Sequence, residues 1–135
     1  MKNWNALGLL GAALLLPGCI FVDDDDDGYY VPSGSLTVEW TIAGDTDPVD
    51  CAAFDVDRFE LVIYDETDEV VDVVDPPCEA FGVTVDLLEG FYSADATLVD
   101  SFDRSATVTE PLNSIRIVAD SELVIPVDFP PGSFL

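Results

Sequence analysis

The chain has 135 residues, a one-domain length, and carries 28 Asp and Glu against four Lys and Arg, with no His. A formal charge of -24 excludes nucleic acid and anionic membrane surfaces as electrostatic partners, because no basic patch exists to neutralise phosphates. Divalent cations, basic partners and a saline medium stay compatible with it. Hydrophobic residues make up 49% of the chain and mean hydropathy is +0.30, so this is not a disordered polyanion. The acids belong on the outward face of a packed core, where salt screens them over about 8–10 Å.

The N-terminus begins with one base, Lys2, followed by an apolar run from Ala6 to Leu16. About 11 residues is too short to span a bilayer, which needs roughly 20, but it suits the central region of a secretory signal. The run ends in Leu16-Pro17-Gly18-Cys19, which resembles a bacterial lipobox. That resemblance implies removal of residues 1–18 and a diacylglycerol on the Cys19 sulfur, with a further acyl chain on its amine. Each buried methylene contributes about 0.8 kcal/mol to such an anchor, and more than one chain makes it stable. Ile20, where an aspartate would favour inner-membrane retention, implies the outer membrane of a bacterial envelope. The matured chain would carry 28 acids and three arginines, a charge of -25.

The resemblance makes residues 19–34, "CIFVDDDDDGYYVPSG", the expected lipidated cysteine and a disordered acidic linker. Five adjacent like charges repel and extend the chain, and Gly28, Pro32 and Gly34 discourage regular structure. From Ile20 to Gly34 the reach is roughly 50 Å at about 3.3 Å per residue. Asp23, Asp25, Asp27 and Gly28 fit the start of a calcium-binding EF-hand loop, but its twelfth position, normally Glu, is Gly34, so that reading is rejected.

Three cysteines are an odd number, and lipidation of Cys19 would remove one from the count. Cys51 and Cys78 are then free to pair in an oxidising compartment, the alternative being two reduced core thiols. A bond is expected. It would close a loop of about 26 residues and contribute on the order of 3–4 kcal/mol.

From residue 35 to 135 the dominant period is two. "SLTVEWTI" puts Leu36, Val38, Trp40 and Ile42 on one face, with Trp40 as the expected core anchor. "AGDTDPVD" is dense in turn formers, and Cys51 to Val56 could add one helical turn. "DRFELVIYD" sets Phe59, Leu61 and Ile63 against Arg58, Glu60, Val62 and Tyr64. "VVDVV" is a short strand stopped by Pro76-Pro77, and "FGVTVDL" alternates Phe81, Val83, Val85 and Leu87. After a turn at "LEG", "FYSADATLVD" alternates Tyr92, Ala94, Ala96 and Leu98; "SFD" turns again, and "RSATVT" reads as a shorter strand ending near Pro111. "SIRIVAD" and "ELVIPVDF" are the last two, and Pro126 marks the latter as bulged or at an edge. Seven or eight short antiparallel strands without sustained helical periodicity predict an all-β sandwich. Cys51 is expected in a loop and Cys78 just before a strand.

Within Asp86 to Val108, the residues Leu87, Gly90, Tyr92, Ala96, Leu98 and Asp100 resemble the hairpin of transthyretin-like and immunoglobulin-like modules on bacterial surfaces. The order of lipobox, "LTVEWTI", cysteine pair and terminal "IPVDFPPGSFL" is similar to that of small myxobacterial-type lipoproteins of unknown function. The resemblance implies an address and a sandwich fold. It carries over no active-site residues.

Catalytic chemistry is hard to assemble here. Without His there is no imidazole base and no nucleophile–His pair, and beyond Lys2 there is no lysine for Schiff-base chemistry. Cys51 and Cys78 lack C-x-x-C spacing, and no phosphate loop appears. A carboxylate pair for glycan hydrolysis is permitted by residue type alone, but 28 acids make some close pair inevitable. The chain therefore reads as a non-enzymatic, membrane-anchored display module whose partner is an envelope protein or glycan. The alternative is a calcium-dependent adhesion or envelope-stabilising module. Its candidate ligands are Asp45, Asp47 and Asp50, with Asp55 and Asp57 beyond Cys51, and the separate group Asp65, Glu66, Asp68 and Glu69. Simple solvation of these loop acids is the plainer account.

Overall fold

The computed structural model describes residues 30–135; the expected signal over residues 1–18, Cys19 and the aspartates Asp23 to Asp27 lie outside the described residues. Seven strands follow one another: β1 (Ser33–Ile42), β2 (Arg58–Tyr64), β3 (Val70–Val74), β4 (Gly82–Leu88), β5 (Gly90–Val99), β6 (Glu110–Ile117) and β7 (Glu122–Phe129). A short helix α1 (Pro48–Ala53) lies between β1 and β2, and single 3-10 turns occupy Cys78–Ala80 and Pro131–Ser133. The strands form two sheets, one ordered β4-β1-β7 and the other β3-β2-β5-β6. The fold is an all-β sandwich.

The alternation read from sequence decides which side chains meet between the sheets. Leu36, Val38, Trp40 and Ile42 from β1 are fully buried, as are Phe59, Leu61 and Ile63 from β2. Trp40 stacks on Phe59 with ring centroids 3.9 Å apart and planes 3° from parallel, and Phe59 meets Phe129 edge-on at 6.4 Å. This aromatic column joins the two sheets, and truncating such a side chain costs about 3–5 kcal/mol. No Asp or Glu is buried among the described residues. Within β1, the Thr37 hydroxyl donates to Glu122 Oε2 at 2.7 Å and lies 2.8 Å from Thr84 Oγ1, linking all three strands of its sheet.

Four features differ from the expectation. First, β1 and β7 pair in parallel, Ser35 opposite Glu122 through Ile42 opposite Phe129, while the other pairings are antiparallel. Period two reports which face is buried and carries no information on strand direction; β7 crosses from the β6 sheet to the other one, and that crossing sets it parallel. Second, "RSATVT" forms isolated bridges, Val99 to Ser105 and Thr107 to Phe134, because its backbone partners are split. Ala106 donates to Leu98 and Val108 to Ser133. Third, Pro111 sits inside β6, an edge strand where a missing N–H is tolerated. Pro126 lies in β7, also at an edge, as read from sequence. Fourth, β1 starts at Ser33 rather than 35, and the compact unit runs from Pro32 to Leu135. Gly34 therefore belongs to the sheet. A Cβ there would lie 2.3 Å from the Val118 carbonyl and 2.8 Å from that of Ser121, so the β6–β7 turn can approach only a glycine.

The open edge of β3 exposes Val70, Val71 and Val73. Asp72, opposite the buried Ile63, points its carboxylate along the interior side of this edge and accepts the Val73 N–H at 2.9 Å. An inward acid on an edge strand blunts pairing with other chains.

Candidate functional site

The strand directions give the sandwich two poles. The chain runs from Pro32 into β1 at one, called here the near pole, together with the turns Asp65 to Glu69, Glu89, and Val118 to Ser121. The far pole gathers the long connections: Ala43 to Asp57 with α1, Asp75 to Phe81, Asp100 to Thr109, and Pro130 to Leu135. Ten residues of β1 separate the poles, roughly 30 Å at strand rise.

The far pole is fastened in several ways. Asp47 caps α1 by accepting the Val49 N–H at 3.0 Å, and Pro48 occupies the first turn, where its missing N–H is harmless. Cys51 in α1 and Cys78 in the first 3-10 turn are bonded, both fully buried, with Cα atoms 6.0 Å apart. The bond forms as expected, although Cys51 sits on a helix rather than in a loop, and α1 begins three residues before the anticipated turn. Trp40 Nε1 donates to the Cys78 carbonyl at 3.1 Å, so the core tryptophan also holds the disulfide-bearing segment. Phe54 stacks on Phe134 at 4.3 Å, tying the end of α1 to the chain's last residues.

The β5–β6 connection is built around Asp100. Its Oδ1 accepts the N–H groups of Phe102 at 2.8 Å and Arg104 at 3.0 Å, and its Oδ2 accepts Arg104 Nε at 3.1 Å. The Arg104 N–H leads in holding the Asp100 carboxyl below the usual carboxylate range, helped by the Phe102 N–H and the Arg104 side chain and opposed by partial burial. Arg58 adds a second clamp through Asp103 at 2.7 Å, with Asp57 and Asp75 farther off at 3.8 and 3.9 Å. Despite this fastening, the Phe102 ring is 75% exposed, with the Arg104 guanidinium 5.1 Å from its centroid.

Two clefts open beside this loop. One, of about 430 Å³, lies between Ala52, Val56, Asp57 and Phe102; the other, of about 510 Å³, lies between Phe54, Ala106, Phe134 and Leu135. Asp55, Asp100 and Arg104 line both, so the two adjoin. Asp55 adopts a left-handed φ of 57°, and its carboxylate has no hydrogen-bond or ion-pair partner among the described residues.

The acids named from sequence as calcium ligands are divided between the poles. Asp45, Asp47 and Asp50 stand at the far pole, where Asp45 closes the turn after β1 by backbone hydrogen bonds with Ile42 and Asp47 caps the helix. Asp65 and Asp68 stand in the near-pole turn with Glu66 and Glu69. Asp65 Oδ1 accepts from the Thr67 hydroxyl at 2.6 Å and from the N–H groups of Thr67 and Glu69 at 2.8 and 3.1 Å. The Thr67 hydroxyl is the largest cause of its lowered pKa. Among the described residues no three Asp, Glu or Cys side chains gather in a group that could hold a metal ion. Cys19 and the acidic run lie outside the described residues.

The residues of the hairpin resemblance serve as framework. Leu98 is fully buried, and Tyr92 packs against the core while its hydroxyl donates to the Leu88 carbonyl at 2.7 Å across the β4–β5 turn. Burial, then the nearby Asp65 charge, raises the Tyr92 pKa. Asp100, the last residue of the motif, organises the far-pole loop. The cleft residues Phe54, Phe102, Arg104 and Phe134 were not singled out from sequence. The available signal was Phe102 itself, an aromatic in the turn "SFD", where turn chemistry has no need of one. No protein-family model matches the chain, and no curated protein matches it.

Proposed function

We propose that this protein is a non-enzymatic, lipid-anchored component of a bacterial envelope, held through Cys19, that presents the far pole of its sandwich to a partner. The observation that carries the reading is the placement of the far-pole clefts. The chain runs into the sandwich at the near pole, and the two adjoining clefts beside the disulfide lie at the opposite one. A domain tethered from its N-terminal side would turn those clefts away from the anchor. The lipobox-like Leu16 to Cys19, the acidic linker and the outer-membrane assignment from Ile20 support the address. The absence of His from the sequence, and of Lys beyond Lys2, supports a binding role over catalysis.

The test is Cys19→Ser in cells. The variant is expected to accumulate as an unprocessed precursor and to leave the detergent-extractable membrane fraction. Normal maturation and retention in that fraction would overturn the anchor.

A further inference from the structure

The geometry points to the far-pole groove around Phe102 as a docking site for a lysine- or arginine-rich protein segment. This deepens the reading above and rests on it only for which way the pole faces. The first observation is apolar surface held rigid. Phe102 is 75% and Leu135 81% exposed, and the stacked Phe54–Phe134 pair lines the same cleft as Leu135, next to the one that Phe102 lines. An exposed aromatic on a flexible loop would lose entropy on binding. Here Asp100 accepts two backbone N–H groups of the loop and Arg58 holds Asp103, so little ordering remains to be done. Rigid aromatic anchors of this kind dominate binding energy in interfaces.

The second observation is charge. Asp55, Asp57 and Asp100 line the two clefts against one base, Arg104, which is already paired with Asp100. Asp55 faces both clefts with its carboxylate unpaired among the described residues. The chain's charge of -24 repels anionic partners and steers cationic ones. Lysine and arginine fit both observations at once, since their stems cover apolar surface while their heads stay polar. One face of Phe102 already carries the Arg104 guanidinium, and an incoming cation would repeat that contact on the ring's open face. The groove is open and extended across two clefts, which suits a segment of several side chains better than a small molecule.

The experiment uses the full chain, isotope-labelled in non-ionic detergent, titrated with a dodecapeptide of alternating Lys and Leu. Saturable chemical-shift changes confined to residues 52–57, 100–106 and 134–135 are expected. Phe102→Ala should weaken binding at least tenfold, Asp55→Asn about threefold, and Phe91→Ala at the near pole not at all. Because Phe102 is exposed, its variant should keep the parent spectrum elsewhere. Shifts spread evenly over the surface, or undiminished binding by Phe102→Ala, would mean the peptide senses net charge only and would overturn the proposal. So would a far-pole response to a soluble peptidoglycan fragment with none to the peptide, which would assign the groove to a glycan. The titration does not depend on acylation, so failure of the anchor and failure of the groove are separately visible.

Discussion

The two poles solve the problem of connecting strands in opposite ways. At the near pole the connections are tight turns, closed by single side chains: Asp65 accepts three hydrogen bonds, Tyr92 reaches back to Leu88, and Gly34 lets the Val118 and Ser121 carbonyls approach. At the far pole the connections are long, and a helix, a disulfide, an aromatic stack and two arginine clamps hold them. Short turns need little fastening because few backbone torsions are fixed. Long connections lose more conformational entropy and need cross-links to stay ordered. The difference teaches where binding surface can be built: the cross-linked pole carries two adjoining clefts beside Phe102, while the near pole, which economises on chain, carries a cleft of about 410 Å³ beside Phe91.

The comparison can be broken most forcefully at the disulfide. Replacing Cys51 and Cys78 together by alanine should lower unfolding stability by about 3–4 kcal/mol, read from denaturant melts. Hydrogen exchange should quicken in α1 and around Asp75 to Phe81 and stay unchanged at the near-pole turns. Equal quickening at both poles would show that the bond supports the whole sandwich and not its far end.

The near pole has its own weak point. Gly34→Ala forces a methyl group against two carbonyls, and overpacking of this kind costs about 1–3 kcal/mol. The expected result is a lower denaturation midpoint with amide-shift changes centred on Val118 to Ser121. A neutral substitution would show that this turn can move away.

The smallest effect compares one device used at both poles. Asp65 and Asp100 are each held below the ordinary carboxylate range by hydrogen bonds to their ionised forms. A depressed folded pKa contributes stability that is present above the unfolded value, about 3.9, and is lost as pH falls through the folded value. Asp65→Ala and Asp100→Ala should therefore melt below the parent at pH 7, with the gap narrowing as pH is taken to about 3. A gap that is constant in pH would assign the loss to turn geometry instead of ionisation.

Much of the framework is legible in the sequence because half-buried strands write their burial as period two. Leu36 to Ile42, Phe59 to Ile63 and Ala94 to Leu98 needed nothing more, and the cysteine pair followed from counting. The illegible parts share a physical cause: they depend on which segments meet. Ala106 and Val108 alternate like strand residues, yet their hydrogen bonds go to Leu98 and Ser133, partners that no local pattern announces. Pro111 looked like a terminator because its neighbours could not reveal that β6 is an edge. The groove is the extreme case, since 52–57, 100–106 and 134–135 become one surface only after the sheets close. Phe102 passes in the sequence as part of the turn "SFD", and nothing local announces its exposure or its rigid mounting.

The parallel pairing of β1 with β7 has a consequence in time. β1 is the central strand of its sheet, and one of its two neighbours is the last strand of the chain. A polypeptide delivered N-terminus first, from a ribosome or through a channel, cannot finish that sheet until Glu122 to Phe129 has emerged. Contacts between sequence-distant segments also make folding slow. The topology thus acts as a delay: the sandwich completes itself only after β7 has arrived.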